Sequence, residues 1–160
     1  MTPQDITSIV ANQRAYFKSG ATLDVEGRLR ALRTLRAAIV TYEDVITSAL
    51  QRDLGKSSTE SIMCEIGMVK SALNHMLRHG ARYAKTKRVR TPLAQFPATS
   101  MRKPSPYGVV LVMSPWNYPF LLTLEPVIEA IAARNTVVGK PSAYSPHTNN
   151  VLKKRQHNNF

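Results

Sequence analysis

The stretch Gly108-Val-Val-Leu-Val-Met-Ser-Pro-Trp-Asn-Tyr-Pro-Phe120 decides the fold. It opens as a run of aliphatic, mostly β-branched residues with no polar alternation, the mark of a strand covered on both faces in a parallel sheet. The run breaks at Ser114-Pro115 into a corner that reads as the approach to a helix. Pro119 to Ala133 is helical in composition, and Pro126 must start a helix there or kink one. Thr136-Val-Val138 supplies a second short strand. Residues 108–138 therefore read as one βαβ unit with parallel strands.

Upstream the pattern is helical. Ile6, Ile9, Val10, Gln13 and Phe17 recur at three-to-four spacing up to a stop at Lys18-Ser-Gly20. Asp24 is placed to cap a second helix carrying Leu29, Leu32, Leu35 and Ile39. Glu43 begins a third, with Val45, Ile46, Ala49 and Leu50, that ends at Gly55. Ser57-Ser-Thr-Glu60 matches a capping box, and behind it Ile62, Ile66, Val69, Leu73 and Leu77 form one long apolar stripe. From Lys85 to Pro106, four prolines (Pro92, Pro97, Pro104, Pro106) forbid a continuous helix and leave extended connections, with room for a short hairpin.

At 160 residues and 43% hydrophobic, the chain can bury one sizeable core. It has no run of about eighteen apolar residues, and Met1-Thr-Pro-Gln-Asp5 is not a secretory opening, so a cytoplasmic setting is the expectation. The single Cys64 excludes an internal disulfide, and its neighbours Ile62, Met63 and Ile66 favour a buried thiol over a reactive one. His75 and His79 stand one helical turn apart with no acidic or cysteine partner nearby, so they read as surface or packing residues and no metal is expected.

The net charge is +12, and no Asp or Glu lies between Glu65 and Glu125 while nine Lys and Arg residues do. Such a tract attracts phosphate. It nevertheless lacks the aromatic interleaving of a single-strand reader and any helix-turn-helix or zinc signature, so nucleic-acid binding is the weakest reading. A solvated face, or one covered by a more acidic partner segment, explains it better.

In a parallel α/β sheet, ligands bind in the crevice at the carboxyl ends of the strands, where Ser114-Pro-Trp-Asn117 falls. The corner has no GxGxxG, and Pro115 removes a backbone donor, so a standard dinucleotide fingerprint is absent. A neutral asparagine amide can point at a developing oxyanion at any pH, and Trp116 could wall such a site. Equally, Asn before a helix is an ordinary cap and Trp after a strand is ordinarily core, and local chemistry alone leans that way. Gly139-Lys-Pro-Ser142 forms a second corner after the second strand, where Lys140 could meet ribose hydroxyls or phosphate.

Taken together, Pro106-Tyr-Gly-Val-Val, Met113-Ser-Pro-Trp-Asn-Tyr-Pro and Val138-Gly-Lys-Pro-Ser resemble the aldehyde dehydrogenase superfamily. Thr91-Pro-Leu-Ala-Gln-Phe-Pro and Phe120-Leu-Leu-Thr-Leu-Glu-Pro bring it closest to the fatty-aldehyde, class 3 branch. The resemblance runs from about Leu23 to Asn150 and implies oxidation of an aldehyde to a carboxylic acid, with NAD or NADP accepting hydride. A cysteine thiolate attacks the carbonyl in such enzymes, the residue matching Asn117 donates its amide to the oxyanion, and a glutamate activates water. Lys140 matches the lysine at the adenosine ribose, with Ser142 beside it, and Ser114, Pro115 and Trp116 line the nicotinamide side.

The fold so implied is α/β: a helical amino-terminal region (1–84), an extended bridging and oligomerisation segment (85–106), and the first βαβ unit of a Rossmann-like cofactor domain (107–154), incomplete. The full-length form is then expected to be a homo-oligomer, a dimer. The chain contains no Gly-Gln-x-Cys nucleophile, Glu-Leu-Gly-Gly base or Phe-x-Gly-Ser turn, and Cys64 falls in the scaffold helix. The expectation is therefore an amino-terminal portion that is inactive alone, with an atypical tail (155–160) suggesting a truncated or frame-shifted end. The alternative is a non-catalytic interaction or dominant-negative subunit pairing with an intact relative. Three positions depart from the family: Arg134 replaces a helix-ending glycine, Gly139 a bulky apolar residue, and Ala143 a ribose-binding glutamate whose loss implies tolerance of NADP.

Overall fold

The computed structural model describes the backbone from Thr2 to Asn159 and the side chains from Thr2 to Lys153. Helix α1 (Pro3–Lys18) starts on a complete capping box between Thr2 and Asp5, with proline in its first turn. α2 (Val25–Thr41) starts on Asp24, whose carboxylate accepts the Glu26 and Gly27 amides at 3.0 and 2.9 Å. α3 (Glu43–Leu54) ends at Gly55 in the left-handed region (φ 69°), as the glycine suggested. A short α4 (Ser58–Ser61) starts on Ser57, whose hydroxyl accepts the Glu60 amide at 3.1 Å. It runs through a π-helical turn (Ile62–Ile66) into α5 (Gly67–Tyr83).

The proline-rich segment folds as the hairpin β1 (Lys87–Val89) and β2 (Ser100–Arg102), antiparallel with Lys87 opposite Arg102. The βαβ unit follows: β3 (Val109–Met113), α6 (Leu121–Ala132) and β4 (Thr136–Lys140), the strands parallel from Val109↔Thr136 to Met113↔Lys140. Helix α7 (Pro146–Asn159) closes the described chain. Among the described residues, no helix is long and apolar enough to cross a membrane. The tail Arg155–Phe160 lies outside the described side chains, although the α7 backbone runs to Asn159.

One core joins the helical part to the βαβ unit. Leu29, Leu32 and Ile39 of α2, Ile46 and Leu50 of α3, and Ile66, Val69 and Leu73 pack with Phe120, Leu121, Leu124 and Ile128 of α6 and its approach. Helix α6 thus lies between α2 and α5 on one side and the two strands on the other. The strand register is set at its start, where the Gly108 N–H donates to Asn135 Oδ1 at 3.0 Å and the Thr136 N–H to the Gly108 carbonyl at 2.9 Å. Gly108 has φ 106°, a conformation L side chains rarely adopt. At the far end of α6, Arg134 sits at φ 73°, the left-handed geometry that glycine adopts without strain. Arg28 closes the same helix end by donating to the Ala132 carbonyl.

Four expectations need correction. The strand β3 is not covered on both faces: Leu111 is 58% and Met113 68% exposed, while Val112 is buried. Strand side chains alternate, α6 covers one face, and α1 reaches the strands near their starts, at Thr136 and Gly108, leaving Leu111 and Met113 open. The apolar stripe of the long helix begins at Ile66, not Ile62. The π turn inserts a residue, putting Ile62 out of phase with Val69 and Leu73 and leaving it exposed. Cys64, on that turn, is half-buried rather than buried. Finally, Gly139 and Lys140 are the last residues of β4 rather than a corner after it.

Candidate functional site

Because β3 and β4 are parallel and in register, their carboxyl ends emerge together. Met113 pairs with Lys140, and the Ser114 N–H donates to the Lys140 carbonyl at 3.3 Å, so the two corners singled out in the sequence lie side by side. Ser114 is buried, and its hydroxyl meets Thr123 Oγ1 at 2.6 Å. Thr123 donates its own proton to the Pro119 carbonyl at 2.6 Å, which makes Ser114 the donor in the first bond. This relay ties the first residue of the corner to α6. It also occupies the Ser114 hydroxyl.

Residues 116–118 behave differently. Trp116 is 53% exposed, and Asn117 and Tyr118 are exposed too, so the tryptophan is not a core residue. Nor does Asn117 cap the helix. α6 begins four residues later with Phe120 at its N-cap position, and Phe120 offers no side-chain cap. Among the described residues the Asn117 side chain makes no hydrogen bond, leaving its amide available at the carboxyl end of β3.

The capping role falls to Glu65, on the π turn and 55 residues away in sequence from Phe120. Its Oε2 accepts the Phe120 and Leu121 amides at 2.9 and 3.2 Å, satisfying two free donors of the α6 first turn. Its Oε1 accepts from Lys56 Nζ at 2.5 Å, and both side chains are buried. Lys56 Nζ also donates to the Asn117 carbonyl at 3.2 Å and lies 3.9 Å from the centroid of the Tyr118 ring. Sequence reasoning missed this pair. The signal was there in outline: Glu65 is a carboxylate set directly before Ile66 in an apolar stripe, a position that demands a partner.

On the β4 side, Lys140 is exposed, and Ser142 shapes the turn into α7. The Ser142 hydroxyl accepts the Tyr144 amide at 3.3 Å and its carbonyl accepts from Asn149 Nδ2 at 2.6 Å. Asp53 of α3 anchors the start of α7 by accepting both the amide and the hydroxyl of Thr148 at 2.7 Å. Pro115 and Trp116 extend the same rim. The exposed donors of the corner are therefore a neutral amide and an ammonium, beside an open indole face. That set suits a nucleotide: the ammonium attracts phosphate oxygens, and both ammonium and amide hydrogen-bond ribose hydroxyls.

At the opposite end of α6 the electrostatics are less favourable. Burial first, and then the neighbouring Arg134, draw the Arg28 pKa below its ordinary value, with Asp24 opposing the shift. Arg134 lies 5.6 Å from the Phe17 ring, and its Nε is buried without a partner. On α5, His75 and His79 stack edge to face at 4.7 Å, and His75 Nε2 meets the Tyr83 hydroxyl at 2.9 Å, in keeping with packing roles.

The aldehyde dehydrogenase family pattern matches residues 1–156. The chain belongs to the aldehyde dehydrogenase family. It is 41% identical over 143 residues to a 4,4'-diaponeurosporen-aldehyde dehydrogenase of Staphylococcus aureus, a match covering 89% of this chain and 31% of that protein. It is 37% identical over 150 residues to aldehyde dehydrogenase family 3 member H1 of Arabidopsis thaliana, covering 94% and 31% respectively. Among solved structures, the substrate-bound state of Staphylococcus aureus AldH superposes with a TM-score of 0.94 at 39% identity, over 97% of this chain and 34% of that one. The class 3 assignment and the incomplete α/β architecture both follow. This aldehyde dehydrogenase chain spans about a third of the length of the relatives it matches.

Proposed function

We propose that this chain is the amino-terminal portion of an NAD(P)-dependent aldehyde dehydrogenase that oxidises medium- or long-chain aliphatic or aromatic aldehydes to carboxylic acids. The observation that carries the reading is the division of labour at the corner. Glu65 caps α6 and Lys56 holds the Asn117 backbone, so the Asn117 side-chain amide remains unused where β3 ends. A neutral N–H donor held there stabilises negative charge growing on an aldehyde oxygen and needs no proton transfer of its own. Lys140 and Ser142 would hold the ribose side of the cofactor, and Ser114, Pro115 and Trp116 would wall its nicotinamide side. When bound, NAD or NADP supplies the hydride acceptor. Ala143, exposed where a ribose-binding carboxylate is expected, leaves room for a 2′-phosphate and supports use of NADP. The name of the S. aureus relative, a 4,4'-diaponeurosporen-aldehyde dehydrogenase, supports a long-chain aldehyde as substrate.

In this reading residues 1–84 and 107–154 build the cofactor domain, and 85–106 bridges between subunits of a homo-oligomer. The hairpin supports the latter assignment, since Leu93 and Phe96 at its tip are 89% and 85% exposed. Cys64 lies on the scaffold π turn, so the 160-residue chain alone is not expected to turn over aldehyde. The test replaces the matching third of the S. aureus relative with this chain and follows NAD(P)H formation from a long-chain aldehyde. Turnover by the exchanged enzyme, with none by the isolated chain, is the expected result. An exchanged enzyme that folds and binds cofactor but stays inactive would remove the reading, and turnover by the isolated chain would remove its inactivity.

A further inference from the structure

We infer that Glu65 and Lys56 are positioning residues that set Asn117 in place, and that the π turn exists to aim Glu65 at the corner. The claim rests on the proposed role of Asn117, but its structural part stands on contacts alone. A seven-residue connection, Ser114 to Phe120, follows β3. Its first residue is held by Thr123 and Lys140. Its middle and end are held by the buried pair: Lys56 on the Asn117 carbonyl at 3.2 Å and under the Tyr118 ring, Glu65 on the Phe120 and Leu121 amides. The Asn117 side chain is thereby left free while its backbone carbonyl is fixed.

Two features indicate that Glu65 is placed deliberately. The helix departs from α geometry across Ile62–Ile66, and Gly67 accommodates the wide turn: a Cβ there would meet the Ile62 carbonyl oxygen at 2.7 Å. The carboxylate also does two tasks with its two oxygens. One balances the Lys56 ammonium and the other closes the α6 first turn, so loss of either partner loosens the same loop.

The experiment uses the 160-residue chain, in which Trp116 is the sole tryptophan and adjoins Asn117. Its emission and acrylamide quenching, with the Asn117 side-chain amide signals in a heteronuclear NMR spectrum, report the corner directly. In Glu65→Gln and Lys56→Gln the quenching constant should rise about twofold and the Asn117 signals should shift, while the Phe120 and Leu121 amides exchange about 10- to 100-fold faster in Glu65→Gln. Leu73→Ala, which truncates a fully buried core side chain of the same helix, should leave the Trp116 and Asn117 signals as in the wild type at temperatures where it stays folded. Pair variants with unchanged corner signals, or a core variant that moves them equally, would overturn the inference. Should the pair variants fail to fold, the wild-type chain decides: protected Phe120 and Leu121 amides uphold the Glu65 contact and unprotected ones refute it. These readouts need no turnover, so failure of the positioning claim is distinct from failure of the oxyanion role, which only an Asn117 variant in an active enzyme can show.

Discussion

Replacing Lys56 and Glu65 singly and together should expose the energetics of the buried pair. Removing one member of a buried ion pair costs about 3–5 kcal/mol, because the other charge is left uncompensated. In Lys56→Met the Glu65 carboxylate keeps two backbone donors at 2.9 and 3.2 Å, which places the loss near about 3 kcal/mol. In Glu65→Gln the ammonium loses its counter-charge, and the single glutamine oxygen can accept from Lys56 or from α6 but not both, so a loss of about 3–4 kcal/mol is expected. The double variant buries no charge, and the glutamine oxygen can still accept an α6 amide. Its loss should be about 2 kcal/mol, not the sum of roughly 6–7. Urea unfolding of the chain, followed by far-ultraviolet circular dichroism and Trp116 emission, measures all four corners of this cycle. A double variant whose loss equals that sum within about 0.5 kcal/mol would refute the coupling and the geometry behind it.

Three further outcomes follow from the structure. Arg134→Gly should stabilise the chain by about 0.5–1 kcal/mol, since relief of left-handed strain at φ 73° outweighs a weak contact with Phe17; a lower urea midpoint would count against it. Gly67→Ala should destabilise by about 1–3 kcal/mol through the clash with the Ile62 carbonyl, against the gain of about 1 kcal/mol that helix propensity alone predicts, so the sign of the shift decides. His79 should titrate below its ordinary 6.5, first through desolvation and then through Arg82, His75 and Arg78. Its unfolded form then binds protons more readily, so its effect is nil above pH 6.5 and stability falls as the pH drops from there towards the folded value. An imidazole NMR titration with a midpoint at or above 6.5 would exclude this.

What was legible in the sequence was local. Asp24, Gly55 and Ser57 announce helix ends because a cap needs only a side chain or a φ within three or four residues. The βαβ unit is readable because two apolar runs flank a helical segment at a spacing that only a crossover satisfies. The strained Arg134 was legible by comparison with the family's glycine, and φ 73° bears it out. The misses share one cause, a partner distant in sequence. The π turn depends on how Glu65 meets α6, 55 residues on, and the cap that local chemistry alone would ask of Asn117 is supplied by that carboxylate. Leu111 and Met113 looked doubly covered because apolar residues mark what can be buried, whereas the cover itself comes from other elements. At the corner, strand position and residue type singled out Asn117 and Lys140 and the family resemblance alone gave them roles, and the parallel register brings their two corners side by side.

The decisive measurement is the turnover of an Asn117→Ala variant in the exchanged enzyme, in which this chain replaces the matching third of its S. aureus relative. If the Asn117 amide holds the oxyanion, kcat for a long-chain aldehyde should fall by about 100- to 1000-fold with KM for NAD or NADP little changed. A kcat within a few-fold of the unsubstituted exchange enzyme would contradict the assignment of Asn117.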